Sequence, residues 1–253
     1  MKNSVIRQLL LAIALSTIGC GTRFEGDVMD IASNTPDVQR TSKNDLSESA
    51  PSHENTSMPH DHKQAFAYPE EVSKKWNNPE RDKWQHPEEI IAALALKPGA
   101  TVADLGAGTG YMVAHMSKAV GQDGTVMAID ASEEMVEYLT KRQAELGPAT
   151  IVPQKVGFDD PELPASGVDR VLTLDTWHHI EGRETYAKKV YDGLKRGGLF
   201  VVVEHDVQAE HGPPKGMRLD SRQTARQLEA AGFRAEIVLE SMPRHYMVVG
   251  HKD

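Results

Sequence analysis

The stretch TVADLGAGTGYM, residues 101–112, decides how the rest of this chain is interpreted. Its apolar run ends at Asp104, three glycines follow within 106–110, and a helical pattern begins at Tyr111. A strand that turns through glycines into a helix lets backbone N–H groups approach a bound nucleotide closely. Tight-turn glycines without a ligand give the same pattern, so the loop needs support from its surroundings.

Strand and helix patterns alternate around this loop. The predicted strands are 101–105, 124–130, 149–156, 168–175, 198–205, 234–240 and 245–251. The predicted helices are 86–96, 111–120, 132–146, 183–194 and 221–232. This alternation predicts a parallel sheet with helices on both faces. Only SMPR, 241–244, joins the last two strands, too short for a helical crossover, so they should pair antiparallel at the sheet edge.

The expected fold class is therefore α/β. It is a Rossmann-like, doubly wound, seven-stranded sheet, mostly parallel with an antiparallel C-terminal strand, in three α/β/α layers.

The first twenty residues differ in composition and pattern from the rest of the chain. Basic residues precede a ten-residue apolar stretch, LLLAIALSTI, which suits a signal-peptide core and is too short to span a bilayer. Cys20 follows directly, and the segment 1–20 resembles a bacterial lipoprotein signal peptide. The resemblance implies export to the cell envelope and a lipid anchor at Cys20. A plain cleaved signal or an uncleaved N-terminal anchor remains the alternative.

Residues 21–68 are polar, rich in Ser, Asn, Thr, Asp, Glu and Pro, and lack periodicity. Such a segment buries too little apolar surface to offset its ordering entropy, which predicts a disordered tether before a domain at 69–253. The tether carries His53, His60 and His62, which could bind a metal weakly or be plain solvated histidines.

Charge and cysteine content exclude several functions. The formal net charge of −9 offers no basic field for nucleic acid, so no such partner is expected. The single cysteine allows no internal disulfide and no thiolate metal cluster, and no metal site is predicted.

The glycine loop departs from two common nucleotide-binding patterns. G-x-G-x-x-G would need a third glycine where Tyr111 stands, and no Gly-Lys-Ser/Thr follows as in a P-loop. Acids end the neighbouring strands: Asp104 precedes the loop, Asp130 ends the second strand, and Asp159 and Asp160 follow the third. A carboxylate at the second of these places can bind ribose hydroxyls. The three acidic places favour a cationic cofactor without phosphate, because Asp104 would repel a pyrophosphate.

Five motifs in chain order extend the pattern. They are VADLGAGTG (102–110), VMAID (126–130), DDPELP (159–164), VLTLDTWHHI (171–180) and LKRGGLFVVVE (194–204). Over about residues 76–253 the chain resembles class I S-adenosylmethionine-dependent methyltransferases, in the broad group that contains ubiquinone-pathway and arsenite methyltransferases. The arsenite enzymes bind metalloid through several cysteines, whereas this chain has only Cys20, outside the fold. That difference argues against arsenite as the acceptor.

The resemblance implies S-adenosyl-L-methionine as cofactor and a set of residues around it. Asp104 and the loop should approach the methionine end, Asp130 the ribose, and either Asp159 or Asp160 the adenine amine. The full expected cofactor set is Asp104, Gly106, Ala107, Gly108, Gly110, Asp130, Ala131, Asp159, Asp160 and Asp175. The segment NNPERDKWQHPEE, 77–89, resembles an N-terminal lid of these enzymes. Asp82, Trp84 or Gln85 should touch cofactor or substrate there, the alternative being helix packing.

The acceptor should lie beyond the fourth strand, at DTWHHI. Trp177 is expected to line it, and His178 or His179 could serve as general base. The alternative is that one histidine caps the next helix and Trp177 packs in the core. A small or lipid-like acceptor is expected. A non-catalytic module that keeps the cleft as a ligand pocket is the second hypothesis, and a nicotinamide-dependent oxidoreductase is disfavoured by Tyr111 and Asp104.

Overall fold

The computed structural model describes residues 67–253 of the 253-residue chain. The predicted signal peptide, Cys20, nearly all of the predicted tether and its histidines His53, His60 and His62 lie outside the described residues. Among residues 67–253, no helix is both long enough and apolar enough to cross a bilayer.

In the described part of the chain, seven strands form one sheet. They are β1 Thr101–Leu105, β2 Thr125–Asp130, β3 Thr150–Lys155, β4 Val168–Leu174, β5 Leu194–His205, β6 Arg234–Val238 and β7 His245–His251. The sheet order is β3-β2-β1-β4-β5-β7-β6. The first five strands pair in parallel, and β7 pairs antiparallel with both β5 and β6. The predicted fold class and the antiparallel hairpin at the edge are confirmed.

Within residues 67–253, seven α-helices connect and flank the strands. They are α1 Pro69–Trp76, α2 Asp82–Gln85, α3 Pro87–Leu94, α4 Tyr111–Val120, α5 Glu133–Arg142, α6 Arg183–Gly193 and α7 Ser221–Ala230. Short 3-10 turns are Pro79–Arg81, Gln143–Glu145, Trp177–His179 and Lys215–Met217. The predicted helix over 132–146 is shorter, because its last residues form one of these turns.

Alternating strand residues divide the apolar interior into two cores. Val102 and Ala103 are both fully buried but belong to opposite faces of the sheet. Helices α3, α4 and α5 cover the first face, and α6 and α7 cover the second. The result is the predicted three-layer arrangement.

The sheet order indicates the edge at which a ligand is expected to bind. The chain winds from β1 toward β3 in one direction and from β4 toward β5 in the other, so β1 and β4 are neighbours at the switch point. In open α/β sheets ligands bind outside the carboxyl ends of the strands at such a point. This edge brings together the residues that follow β1, β2, β4 and β5. Because β7 runs in the opposite direction, its first residues also lie there.

A candidate cofactor and acceptor site at the carboxyl edge

The glycine loop is shaped by close packing at the switch point. Gly106 has φ +77°, and a Cβ there would lie 2.2 Å from Oγ1 of Thr176, the residue that follows Asp175 beyond β4. The N–H groups of Gly106 and Ala107 both donate to the carbonyl of Ile129, at 2.8 and 3.0 Å, which ties the loop to β2. Glycine is therefore required at 106 both by backbone conformation and by the approach of the β4 segment.

Asp104 lies beneath this loop, only 3% exposed. Burial and the charge of Asp130 raise the pKa of Asp104, the guanidinium of Arg81 acts in the opposite direction, and the net pKa is about 7. A carboxyl group held in this state gains most from a bound cation, because the cation stabilises the ionised form. The electrostatics at the end of β1 therefore favour a positively charged ligand.

Asp130, at the end of β2, organises the backbone around it. Its Oδ2 accepts from the N–H of Gly108 at 2.8 Å and its Oδ1 from the N–H of Ser132 at 2.9 Å. Burial raises the pKa of Asp130, while these backbone hydrogen bonds lower it. Ala131 stands between these two anchored positions and is half-buried. Each carboxylate oxygen retains a lone pair, so the group could also accept from ligand hydroxyls.

The two acids after β3 have different surroundings. Asp160 accepts from the N–H of Glu162 at 2.8 Å and pairs with Lys189 at 3.0 Å, contacts that lower its pKa. Asp159 is exposed, and its carboxylate makes no hydrogen bond or ion pair with the described part of the chain. The predicted choice between them thus favours Asp159 as the acceptor for an external amine.

The segment around the start of α2 contacts the glycine loop and the residue that follows it. The ring of Trp76 lies 3.6 Å from the position that a Cβ of Gly108 would take. Asn77 donates to the carbonyl of Thr109 at 2.9 Å and accepts from its hydroxyl at 2.6 Å. Asp82 accepts from the hydroxyl of Tyr111 at 2.7 Å.

Arg81 is a central residue that the sequence reasoning missed. Its guanidinium lies 4.1 Å from the ring centre of Tyr111, and Nη2 lies 3.5 Å from Oδ2 of Asp175. Burial lowers the pKa of Arg81, while the neighbouring carboxylates, Asp175 first, oppose that effect. Its acidic neighbours in sequence, Glu80 and Asp82, were the available signal, but the contact of Arg81 with Asp175 depends on the path of the lid.

The other two predicted lid residues face this arginine. Gln85 is fully buried and its Oε1 accepts from Arg81 at 3.1 Å. Trp84 stacks on His245 with ring centres 6.0 Å apart, and Arg244 covers it at 4.3 Å. Both side chains pack within the protein, which corresponds to the packing alternative, whereas Asp82 contacts Tyr111, the residue after the loop.

The histidines after β4 are held by the end of β5. Nδ1 of His178 lies 2.8 Å from Oε2 of Glu204, and the backbone N–H of His178 donates to Oε1 of the same carboxylate at 3.1 Å. Both side chains are almost fully buried. The ring of His179 lies 4.0 Å from that of His178. Glu204, at the end of β5, therefore holds both the backbone and the ring of His178.

Trp177 lies elsewhere than predicted. Its side chain is fully buried in the core beneath the second face, with edge contacts to Tyr186 and Phe200. Its Nε1 donates to Oε1 of Gln227 at 2.9 Å. Trp177 therefore packs in the core, the alternative, and does not line the acceptor surface as expected. The 3-10 turn directs the indole inward and leaves the histidines at the edge.

Asp175 is held by two histidines. Its Oδ1 lies 2.8 Å from Nδ1 of His205 and 2.9 Å from Nε2 of His245. Burial alone would raise the pKa of Asp175, but the charge of His245 and the contacts with both histidines hold it well below its usual range. The residue has φ 56°, a left-handed conformation that is costly for a side chain other than glycine. The expected contact of Asp175 with the cofactor stays a prediction.

Comparison with known proteins agrees with this geometry. Residues 102–198, from β1 to the start of β5, match the family model of a methyltransferase domain. A methyltransferase from Aquifex aeolicus that depends on S-adenosylmethionine has a similar structure, with a TM-score of 0.67 and 27% identity, over 73% of this chain and 98% of that one. A putative methyltransferase from Haloferax volcanii in complex with its activator Trm112 shares the fold at a TM-score of 0.60 and 17% identity, over 74% and 94%.

Relatives found by sequence match about half of this chain. An uncharacterized protein of a Streptomyces fradiae transposon is 31% identical over 124 residues, 46% of this chain and 33% of that protein. A carboxy-S-adenosyl-L-methionine synthase of Staphylococcus epidermidis is 28% identical over 175 residues, 57% and 75%. An uncharacterized methyltransferase of Bacillus subtilis is 28% identical over 143 residues, 56% and 76%. The chain thus spans one third of the first relative and three quarters of the other two.

These findings confirm the predicted cofactor, S-adenosylmethionine. They also support a class I methyltransferase domain that depends on it.

Proposed function

We propose that this chain transfers the methyl group of S-adenosylmethionine to a small or lipid-like acceptor. The observation that carries the proposal is the buried carboxyl of Asp104 beneath the glycine loop, with its pKa raised to about 7. The cofactor is a sulfonium cation with an α-ammonium group, and a carboxylate that water solvates poorly is stabilised by such charge. A pyrophosphate cofactor would meet Asp104 and Asp130 with like charge.

The other predicted cofactor contacts follow from the same edge. Asp130 accepts the ribose hydroxyls with the lone pairs that its two backbone hydrogen bonds leave. Asp159 accepts from the adenine amine, because its carboxylate is exposed while Asp160 is engaged by Lys189. The lid contact between Asn77 and Thr109 covers the loop from the solvent side.

Methyl transfer is an in-line displacement at the sulfonium methyl, and the positive charge on sulfur is lost as the new bond forms. The protein therefore mainly aligns the acceptor with the methyl group. A base is needed only when the acceptor arrives protonated. His178 suits that role: with its proton on Nδ1, the ring donates a hydrogen bond to Glu204, which leaves the lone pair of Nε2 to accept the acceptor's proton. His179, stacked on the same ring, is the neighbouring candidate.

Turnover can be tested with the full chain. Incubation with S-adenosylmethionine and lipid or small-molecule extracts should release S-adenosylhomocysteine, and a mass spectrum of the acceptor should show a gain of one methylene. A native mass spectrum of the purified protein should also show retained cofactor. Retained cofactor without any S-adenosylhomocysteine release would favour the non-catalytic ligand-binding module. A protein that shows no retained cofactor and no release would contradict both hypotheses.

Export and anchoring form a separate part of the proposal. The basic start, the ten apolar residues and Cys20 support an exported protein in the cell envelope, attached to the membrane through a lipid on Cys20. Fractionation of wild type and Cys20→Ser tests it: the wild type should partition with membranes and the variant should not. Membrane association that persists in Cys20→Ser would contradict lipidation and leave the uncleaved anchor.

A further inference from the structure

Three side chains that are far apart in sequence meet at the carboxyl edge. Asp175 follows β4, His205 ends β5, and His245 begins the antiparallel β7, so each comes from a different strand. One ligand atom from each, a carboxylate oxygen and two imidazole nitrogens, lies within 4.8 Å of the others. Exposure of the three side chains is only 25%, 13% and 0%. The positions are rigid because neighbouring strands in one sheet hold them.

Hydrogen bonding alone accounts poorly for this arrangement. One nitrogen of each ring lies close to the same atom, Oδ1 of Asp175, at 2.8 and 2.9 Å. The His245 contact has hydrogen-bond geometry. Nδ1 of His205, although buried and close, makes no acceptable hydrogen bond with any residue that the structure describes. A buried imidazole nitrogen that makes no hydrogen bond is costly in free energy unless another group or ion interacts with it.

The geometry points to a binding site for a divalent first-row transition ion, formed by Asp175, His205 and His245. Two imidazoles and one carboxylate are a ligand set that suits zinc or iron rather than calcium or magnesium, which prefer all-oxygen sites. At tetrahedral metal–ligand distances of about 2.0–2.2 Å, adjacent ligand atoms stand about 3.3–3.6 Å apart. The observed separations of 2.8 and 2.9 Å need only a small expansion to admit the ion. Three protein ligands leave a further position open, as in catalytic rather than structural zinc sites.

The surrounding charges are compatible with an ion here. Arg81 approaches the cluster only through the other oxygen of Asp175, at 3.5 Å, so Oδ1 stays available to a metal. Arg244 lies over Trp84, which separates it from the ring of His245. The nearby Glu204 is paired with His178 and contributes no ligand. The site is thus distinct from the His178–Glu204 pair and does not rest on the proposed methyl transfer.

The test is zinc titration of the full chain, stripped with a chelator, followed by calorimetry, with cobalt absorption as a second probe of ligand geometry. The tether histidines are removed first, in the triple variant His53→Ala, His60→Ala and His62→Ala, which serves as the parent. Asp175→Asn, His205→Ala and His205→Asn are made in that parent. His251→Ala, at the opposite end of β7, is the matched control, and circular dichroism verifies that every variant folds.

The parent should bind one equivalent of zinc. Asp175→Asn and both His205 variants should weaken zinc binding by at least ~10–100-fold, because loss of a residue that only supports a ligand already has an effect of that size. His251→Ala should leave zinc binding unchanged. A parent that binds no zinc at a concentration of about 100 µM, or folded Asp175 and His205 variants that bind as tightly as the parent, would overturn the proposal.

Discussion

Replacing Asp104 with Asn should stabilise the unliganded protein and weaken cofactor binding at the same time. In the unfolded chain this carboxyl ionises near 3.8, and in the folded protein near 7, because burial and the charge of Asp130 disfavour its ionised form. Between these pH values the folded state binds more protons than the unfolded state. Stability from this group is therefore fully present below pH 3.8 and is lost as pH rises toward 7.

The magnitude follows from the size of the shift. A shift of about 3 pKa units corresponds to about 4 kcal/mol of unfolding free energy at full ionisation. Asn is nearly isosteric and cannot ionise. The gain in unfolding free energy of Asp104→Asn over wild type should therefore grow from about 1.5 kcal/mol at pH 5 to about 4 kcal/mol at pH 8.

Denaturant unfolding of both proteins at pH 5, 6, 7 and 8 measures this difference. Asp169→Asn is the matched control, because Asp169 is at the opposite edge, where burial raises its pKa but the contacts with Lys195 and the N–H of Thr101 together lower it below its usual value. That variant should lose stability at neutral pH instead. A gain for Asp104→Asn that does not change with pH, or a loss at every pH, would refute the reasoning about a buried, neutralised carboxyl.

Three further predictions follow from single contacts. Gly106→Ala should lower the unfolding free energy by about 2–4 kcal/mol, because the Cβ clashes with Thr176 in a left-handed backbone; Gly182→Ala, left-handed but with open space, should cost about 1 kcal/mol in the same denaturation experiment. Trp177→Phe should cost about 1–3 kcal/mol of stability, since it leaves Gln227 unpaired, and calorimetry should show unchanged cofactor affinity; weakened affinity would return Trp177 to the site. Glu204→Gln should reduce turnover by roughly 100-fold and shift its pH profile, with cofactor affinity preserved; an unchanged profile would exclude His178 as the base.

The order of strands and helices was predictable because each element has a clear local pattern. The βα alternation and the four-residue link before β7 are sufficient for the sheet and its antiparallel edge. Asp104 and Asp130 could be assigned because the ends of neighbouring parallel strands must meet at one edge. These inferences need only the hydrophobic periodicity of each segment and the general rules for how strands are connected in a sheet.

Contacts between distant side chains could not be predicted in the same way. Asp175, His205 and His245 are 30 and 40 residues apart, and their meeting depends on β7 lying beside β5 in one particular register. Arg81 reaches Asp175 only through the path of the lid. Trp177 illustrates the same limit on a smaller scale, because the direction of its side chain depends on one 3-10 turn.

Calorimetric titration of S-adenosylmethionine into the full chain tests the central claim most directly, with Asp130→Ala and the exposed-turn variant Asp123→Ala measured beside it. Circular dichroism confirms that each variant is folded. The wild type and Asp123→Ala should bind the cofactor equally, and Asp130→Ala should bind it more weakly by about 1–3 kcal/mol, the scale for lost hydrogen bonds to a charged group. Wild type that binds neither S-adenosylmethionine nor S-adenosylhomocysteine at millimolar concentration, or a folded Asp130→Ala with unchanged affinity, would contradict the account.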